Sequence, residues 1–150
     1  MTPRLLYRIV ATVEAITWTL LIIGLILRAT GVTELGVQIG GGVHGFGFLC
    51  YVLVTVFAGL NLGWRPVVVL AGLATAIVPW ATIPFERWAE RRGLLDGGWR
   101  SDGTGRLARL TGWVLRHPVP AALLALAAVV VAFGVLLWLG PPSGWSTRFS

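Results

Sequence analysis

The chain has no lysine, a single cysteine and only six acidic residues among 150. One thiol, Cys50, excludes an internal disulfide and a thiolate metal cage, and a buried, inert thiol is its natural reading. Charged residues make up 12% of the sequence, roughly half the share of a soluble domain. All 12 cationic side chains are therefore arginines, a bias that coding DNA rich in guanine and cytosine explains and from which no chemistry follows. Alternation of the kind a membrane strand needs is absent too, so helices must satisfy the backbone. No repeat period stands out, and no polar stretch is long enough for a soluble domain.

What the chain has is apolar length. It is 56% hydrophobic with a mean hydropathy of +0.81. Four segments approach the ~20 residues that cross a hydrocarbon core: residues 5–27, 43–62, 66–85 and 120–140. In the first, Arg4 and Arg8 followed by the apolar run of residues 9–27 have the outline of a secretion signal. It is longer than a usual signal core, however, and RATGVTELG after it offers no small-x-small cleavage site, so it reads as a retained helix. Pro66 opens the third segment at a helix-start position, and Gly140-Pro141-Pro142 closes the fourth. Trp64, Trp88 and Trp138 lie near predicted ends, where an aromatic belt would place them. The expected fold is all-α: a polytopic transmembrane bundle with three core helices in residues 1–86. A basic connector, 87–118, leads to a fourth C-terminal transmembrane helix and short tail in 119–150.

The connector divides in two. AERRGLLDGGWRSDGTG is charged and glycine-rich, a flexible linker; its GTG follows no strand and precedes no lysine, so it does not resemble a phosphate loop. In residues 106–116, Leu107, Leu110 and Val114 share one side of a helical wheel, with Arg106, Arg109 and Arg116 on another. That pattern predicts a helix lying in the interface. The net charge of +6 could suggest nucleic acid, but seven arginines lie between Arg87 and Arg116 beside apolar spans. Anionic lipid headgroups are the nearer partner, and no nucleic acid is expected. With four spans, the positive-inside rule puts the connector in the cytoplasm and both termini outside, in the bacterial plasma membrane. Arg4 and Arg8 ahead of the first helix argue the opposite way.

Glu14 is the only acid within an expected span. A carboxylate near mid-membrane costs about 2.5–3.5 kcal/mol on insertion scales, so it should face other helices, accept hydrogen bonds or carry a proton. Tyr7 and Trp18 share its helix face by spacing. His44, at the expected start of the second span, begins a similar stripe continued by Phe48, Tyr51 and Thr55. Gly41, Gly45 and Gly47 beside it would let another helix approach closely. Glu14 and His44 are thus expected to meet across a helix contact. Two readings stay open: a polar pair that sets helix register, or a pair that handles protons or binds a ligand. One histidine and one acid are too few for a metal, and no cofactor is expected. Pro79 and Pro84 interrupt the end of the third segment and would free backbone carbonyls; such prolines more often bend or end a helix. Glu86 and Arg87 after them are expected at the membrane surface, solvated or paired with headgroups.

Together these residues resemble the YdzA-like family of small bacterial integral membrane proteins, whose function is unknown. The resemblance rests on Glu14; on His44, Gly45, Phe48 and Tyr51; and on Pro79, Trp80, Ala81 and Thr82 before Phe85, Glu86 and Arg87. It covers about residues 5–92 and implies three membrane helices and a common core containing Glu14 and His44. Trp80-Ala81 stands where the family pattern has Phe-Gly, and Pro84 is an addition, so the third helix is expected to end differently. The resemblance implies no reaction. Two functions are expected from the whole: an accessory or structural subunit of a membrane assembly, or an oligomeric proton-coupled transporter using Glu14 and His44. No nucleophile–base pair or cofactor motif points to an enzyme.

Overall fold

A computed structural model of the chain describes residues 2–99 and 106–139, and among these every regular element is an α-helix. Helix α1 spans Pro3–Ala29, its start fixed by Pro3 in the first turn and by Thr2, whose hydroxyl accepts the Leu5 N–H at 3.3 Å. Helix α2 spans Leu35–Leu62 and ends at Gly63, which turns left-handed (φ 72°) so that its N–H returns to the Gly59 carbonyl. Each is long and apolar enough to cross a bilayer. On α1, Leu5, Ile9, Val13, Ile16, Leu20 and Ile23 fall on one face and are 43–55% exposed. Water against such a stripe would forfeit about 1.5–3 kcal/mol of burial per side chain, and hydrocarbon removes that penalty.

Helix α2 begins at Leu35, not near residue 43, so the run of glycines lies inside it and His44 sits in its third turn. Glycine in a helix interior costs roughly 0.5–1 kcal/mol relative to alanine. Contact with α1 compensates. A Cβ on Gly24 would overlap the Gly36 carbonyl oxygen, one on Gly40 would lie 2.9 Å from the Leu20 oxygen, and one on Gly47 would lie 3.0 Å from Thr17 Oγ1. The close-approach stripe on α2 is therefore Gly36, Gly40 and Gly47, which meet Gly24, Leu20 and Thr17 of α1. Of the three glycines expected there, Gly41 stands off at 3.9 Å from Leu21, and Gly45 faces the Phe133 ring of a later helix. In lipid, where apolar side chains gain nothing by meeting, such backbone proximity is a main source of helix attraction.

The third apolar segment does not form one crossing helix. Helix α3, Pro66–Thr75, stops, residues 76–81 turn, and helix α4, Thr82–Arg91, runs back. Pro79 explains the stop, because its ring would collide with the carbonyl four residues earlier, that of Thr75. Pro84 adds no kink: it lies in the first turn of α4, where its missing N–H is not needed. Trp80 makes the reversal with φ at +60°, a left-handed conformation that costs a non-glycine residue roughly 1–2 kcal/mol. Its indole N–H donates to Thr19 Oγ1 at 2.9 Å.

Contacts along α1 show how far the hairpin reaches. Ala76 and Trp80 lie beside Trp18 and Thr19, Thr82 beside Ala11 and Glu14, and Glu86 and Glu90 beside Arg8. Helix α4 is thus antiparallel to α1, and Trp64 before α3 donates to the Leu94 carbonyl after α4 at 2.8 Å. Both outer ends of the hairpin lie at one end of the bundle, with its apex about 15 Å deep. Helix α5 (Arg106–Arg116) follows at that same end, and α6 (Pro118–Leu139) packs along α2 with Phe133 over Gly45. The buried core of Tyr7, Ala11, Tyr51, Ala58, Ala76 and Phe85 lies where α1, α2 and the hairpin meet.

This arrangement puts the N-terminus and the start of the connector at one end of the bundle, where four crossings would have set them on opposite sides. Single cysteines placed at Thr2 and at Arg91, in a Cys50→Ser background, should react with a membrane-impermeant maleimide from the same side. Labelling from opposite sides would restore a full third crossing and refute the hairpin.

Candidate functional site

Glu14 projects from α1 towards the start of α4 and is fully buried. Its Oε2 lies 2.7 Å from Thr82 Oγ1, which is also 3.1 Å from the Ala11 carbonyl oxygen. Its Oε1 is buried with no hydrogen-bond partner. Thr82 has one proton for two acceptors. If Glu14 is a neutral acid it donates to Thr82, which donates to Ala11, and both contacts are hydrogen bonds; a carboxylate allows only one. The α4 N-terminus, which has no side-chain cap of its own, receives the carboxyl group of another helix.

His44 does not hydrogen-bond Glu14. Thr17 stands between them: its hydroxyl donates to the Glu14 carbonyl at 2.8 Å and meets His44 Nδ1 at 3.1 Å. Because that hydroxyl proton is already used, Nδ1–H is the donor in the second contact, a tautomer assigned from the network. Gly47, packed on Thr17, keeps the two helices close enough for this link. The imidazole also lies against Trp18, ring centroids 4.3 Å apart, and the Trp18 indole donates to the Ala76 carbonyl at 3.2 Å. The expected direct pair is thus a relay of backbone and hydroxyl groups, and Glu14 turns to the hairpin instead.

A second buried network lies nearer the arginine end. Tyr7 and Tyr51 hydroxyls are 2.9 Å apart; Tyr7 also reaches Thr55, and Tyr51 reaches the Gly72 carbonyl and Thr75. Phe48 packs against this core and Pro79 lies in the turn at the apex. Glu86, expected in solvent or among headgroups, is instead buried and accepts from Arg8 Nε at 3.1 Å. Arg87 is exposed. Sequence reasoning missed Thr17, Thr75 and Arg8 as partners. Thr17, three residues after Glu14, was open to detection by spacing; the other two depended on the hairpin.

A family model described as a domain of unknown function, DUF3817, matches residues 5–91. The chain belongs to this family. The DUF3817 segment takes in nearly all of α1 to α4, including Glu14, Thr17, His44, both tyrosines and Thr82, and leaves α5 and α6 outside. A Streptomyces coelicolor protein named "Putative membrane protein SCO5905" is 42% identical over 98 residues, which is 63% of this chain and 12% of that relative. The chain thus spans about an eighth of the length of the curated relative it matches. No solved structure matches.

Proposed function

We propose that this DUF3817 protein is an accessory or structural subunit of a membrane assembly, built to be held beside a larger partner. The observation that carries the reading is the relative, in which a like segment makes up 12% of a far longer chain. The buried polar groups agree with it. Tyr7, Tyr51, Thr55, Thr75 and Thr82 spend their hydrogen bonds holding α1, α2 and the hairpin together. No nucleophile–base pair among the described residues argues for an enzyme.

The proposal extends to topology. α1, α2 and α6 are the crossing helices of a bacterial plasma-membrane protein, the hairpin is re-entrant, and the family corresponds to the YdzA-like one. Nine arginines of the described residues then fall at the α1 N-terminal end: Arg4, Arg8, Arg65, Arg87, Arg91, Arg92, Arg106, Arg109 and Arg116. Arg28 alone lies at the other. The positive-inside rule assigns the first end, with the N-terminus and the connector, to the cytoplasm.

Purification from native membranes in mild detergent, with native mass and co-purifying proteins measured together, tests the function. A stoichiometric larger partner is the expected result. Recovery alone, as a small homo-oligomer, would sink the subunit reading. It would favour the second one, a proton-coupled or ligand-binding membrane protein, for which the unpartnered Glu14 Oε1 is the specific observation.

A further inference from the structure

The acids at the arginine end are few, and the structure shows where they go. Glu86, Glu90 and Asp96 are the described acids there. Arg8 takes Glu86 at 3.1 Å and Glu90 at 2.6 Å; Arg4 takes Glu90 at 3.3 Å and also Asp96. Two arginines at the start of α1 thus engage all three. Arg65, Arg87, Arg91, Arg92, Arg109 and Arg116 are exposed and have no acidic partner among the described residues. Arg87 and Arg91 stand one turn apart on α4, a like-charge spacing that weakens a helix unless an anion lies over it. Trp88 between them is 39% exposed, and the Arg92 guanidinium sits 5.8 Å from its ring centre.

Depth decides what that anion is. The apex of the hairpin sits beside the middle of α1, and α4 climbs from it by about 15 Å, half the hydrocarbon thickness. Its last turn therefore emerges at the level of lipid phosphates, with Trp88 in the interfacial layer where tryptophan concentrates. A cleft of about 390 Å³ opens nearby, lined by Leu62, Gly63, Trp64, Gly93 and Leu94. Asp96 also lines it, so it is a poor anion site. The outward face of α4 has no such opposing charge.

We infer that the exposed end of α4, with Arg87, Arg91 and Arg92 around Trp88, binds the phosphate groups of anionic phospholipids in the leaflet it reaches. The re-entrant hairpin is what delivers these guanidinium groups to headgroup depth, and the α1 arginines free them by neutralising the acids of the same helix. The inference does not depend on the proposed subunit role.

The full chain, purified in detergent and titrated with phosphatidylglycerol or phosphatidylcholine, would be read by native mass spectrometry for retained lipid. Phosphatidylglycerol should be retained in preference, with added sodium chloride releasing it. Changing Arg87, Arg91 and Arg92 together to glutamine should weaken retention on the order of a hundredfold, about fivefold per arginine. Arg28→Gln, at the opposite end, should change nothing. Equal retention of both lipids, or an unchanged triple variant, would overturn the inference. So would displacement by equimolar inorganic phosphate, which would make the site one for a free anion. If the triple variant fails to fold, the salt response of the unaltered chain decides: retention insensitive to salt rejects the site.

Discussion

Gly24→Leu should abolish recovery of folded protein, whereas Gly42→Leu should be tolerated. At Gly24 a Cβ would overlap the Gly36 carbonyl oxygen and come 2.8 Å from the Val37 nitrogen; at Gly42 nothing lies within 4 Å. The obstacle at Gly24 is backbone, so no rotamer change relieves it, and α1 must move away from α2. Overpacking a core that can adjust costs about 1–3 kcal/mol. Here the shift would also break the Thr17–His44 contact and pull Gly40 from its 2.9 Å approach to Leu20. Total loss above the upper end of that range is expected. Monodispersity and thermal midpoint in detergent, compared between the two variants, read the difference. Equal stability would mean that α1 and α2 do not meet along this stripe.

The second large effect separates structure from proton chemistry at Glu14. Glu14→Ala removes the carboxyl that holds the Thr82 hydroxyl at the start of α4 and leaves a hole between α1 and the hairpin, with an expected loss of about 2–4 kcal/mol. Glu14→Gln keeps the shape and supplies an N–H donor to Thr82 where the neutral acid supplies O–H, so it should fold within about 1 kcal/mol of the unaltered chain. If the glutamine variant also still binds the native partner, Glu14 is a structural acid. If it folds and assembles but loses growth-linked or transport activity, the proton itself matters. A glutamine variant as unstable as the alanine one would show that an ionised carboxylate is needed there, against the proton count at Thr82.

Much of the helical content was legible because it depends on local quantities. Apolar length marks most of α1 and α2, and Pro66 the start of α3, without reference to any neighbour. Glu14 was identifiable as an interior group for a similar reason, since an acid in an apolar run must be shielded from lipid. The glycines were harder. Gly41, Gly45 and Gly47 looked like the approach face, but which face α2 presents depends on where α1 lies, and that selects Gly36, Gly40 and Gly47.

The hairpin was the principal gap. Twenty apolar residues read as a crossing, because hydropathy counts residues and does not register direction. One warning was present: the arginines at the start of α1 and those of the connector demanded opposite orientations while the third segment was taken to cross. A reversal at Pro79 removes that conflict by bringing both groups to one end.

Composition and apolar length by themselves determined that this is a helical chain with membrane-length segments, an interior acid and two prolines that bend or stop the third segment near its end. They act through each residue's own transfer energy and backbone preference. Only tertiary structure decided that the stop becomes a reversal. Trp18 on the Ala76 carbonyl, Trp80 on Thr19, Thr82 on Glu14 and Arg8 on Glu86 each join the hairpin to α1. A proline dictates where a helix ends; the direction of the chain after it is set by the partners that satisfy its polar groups.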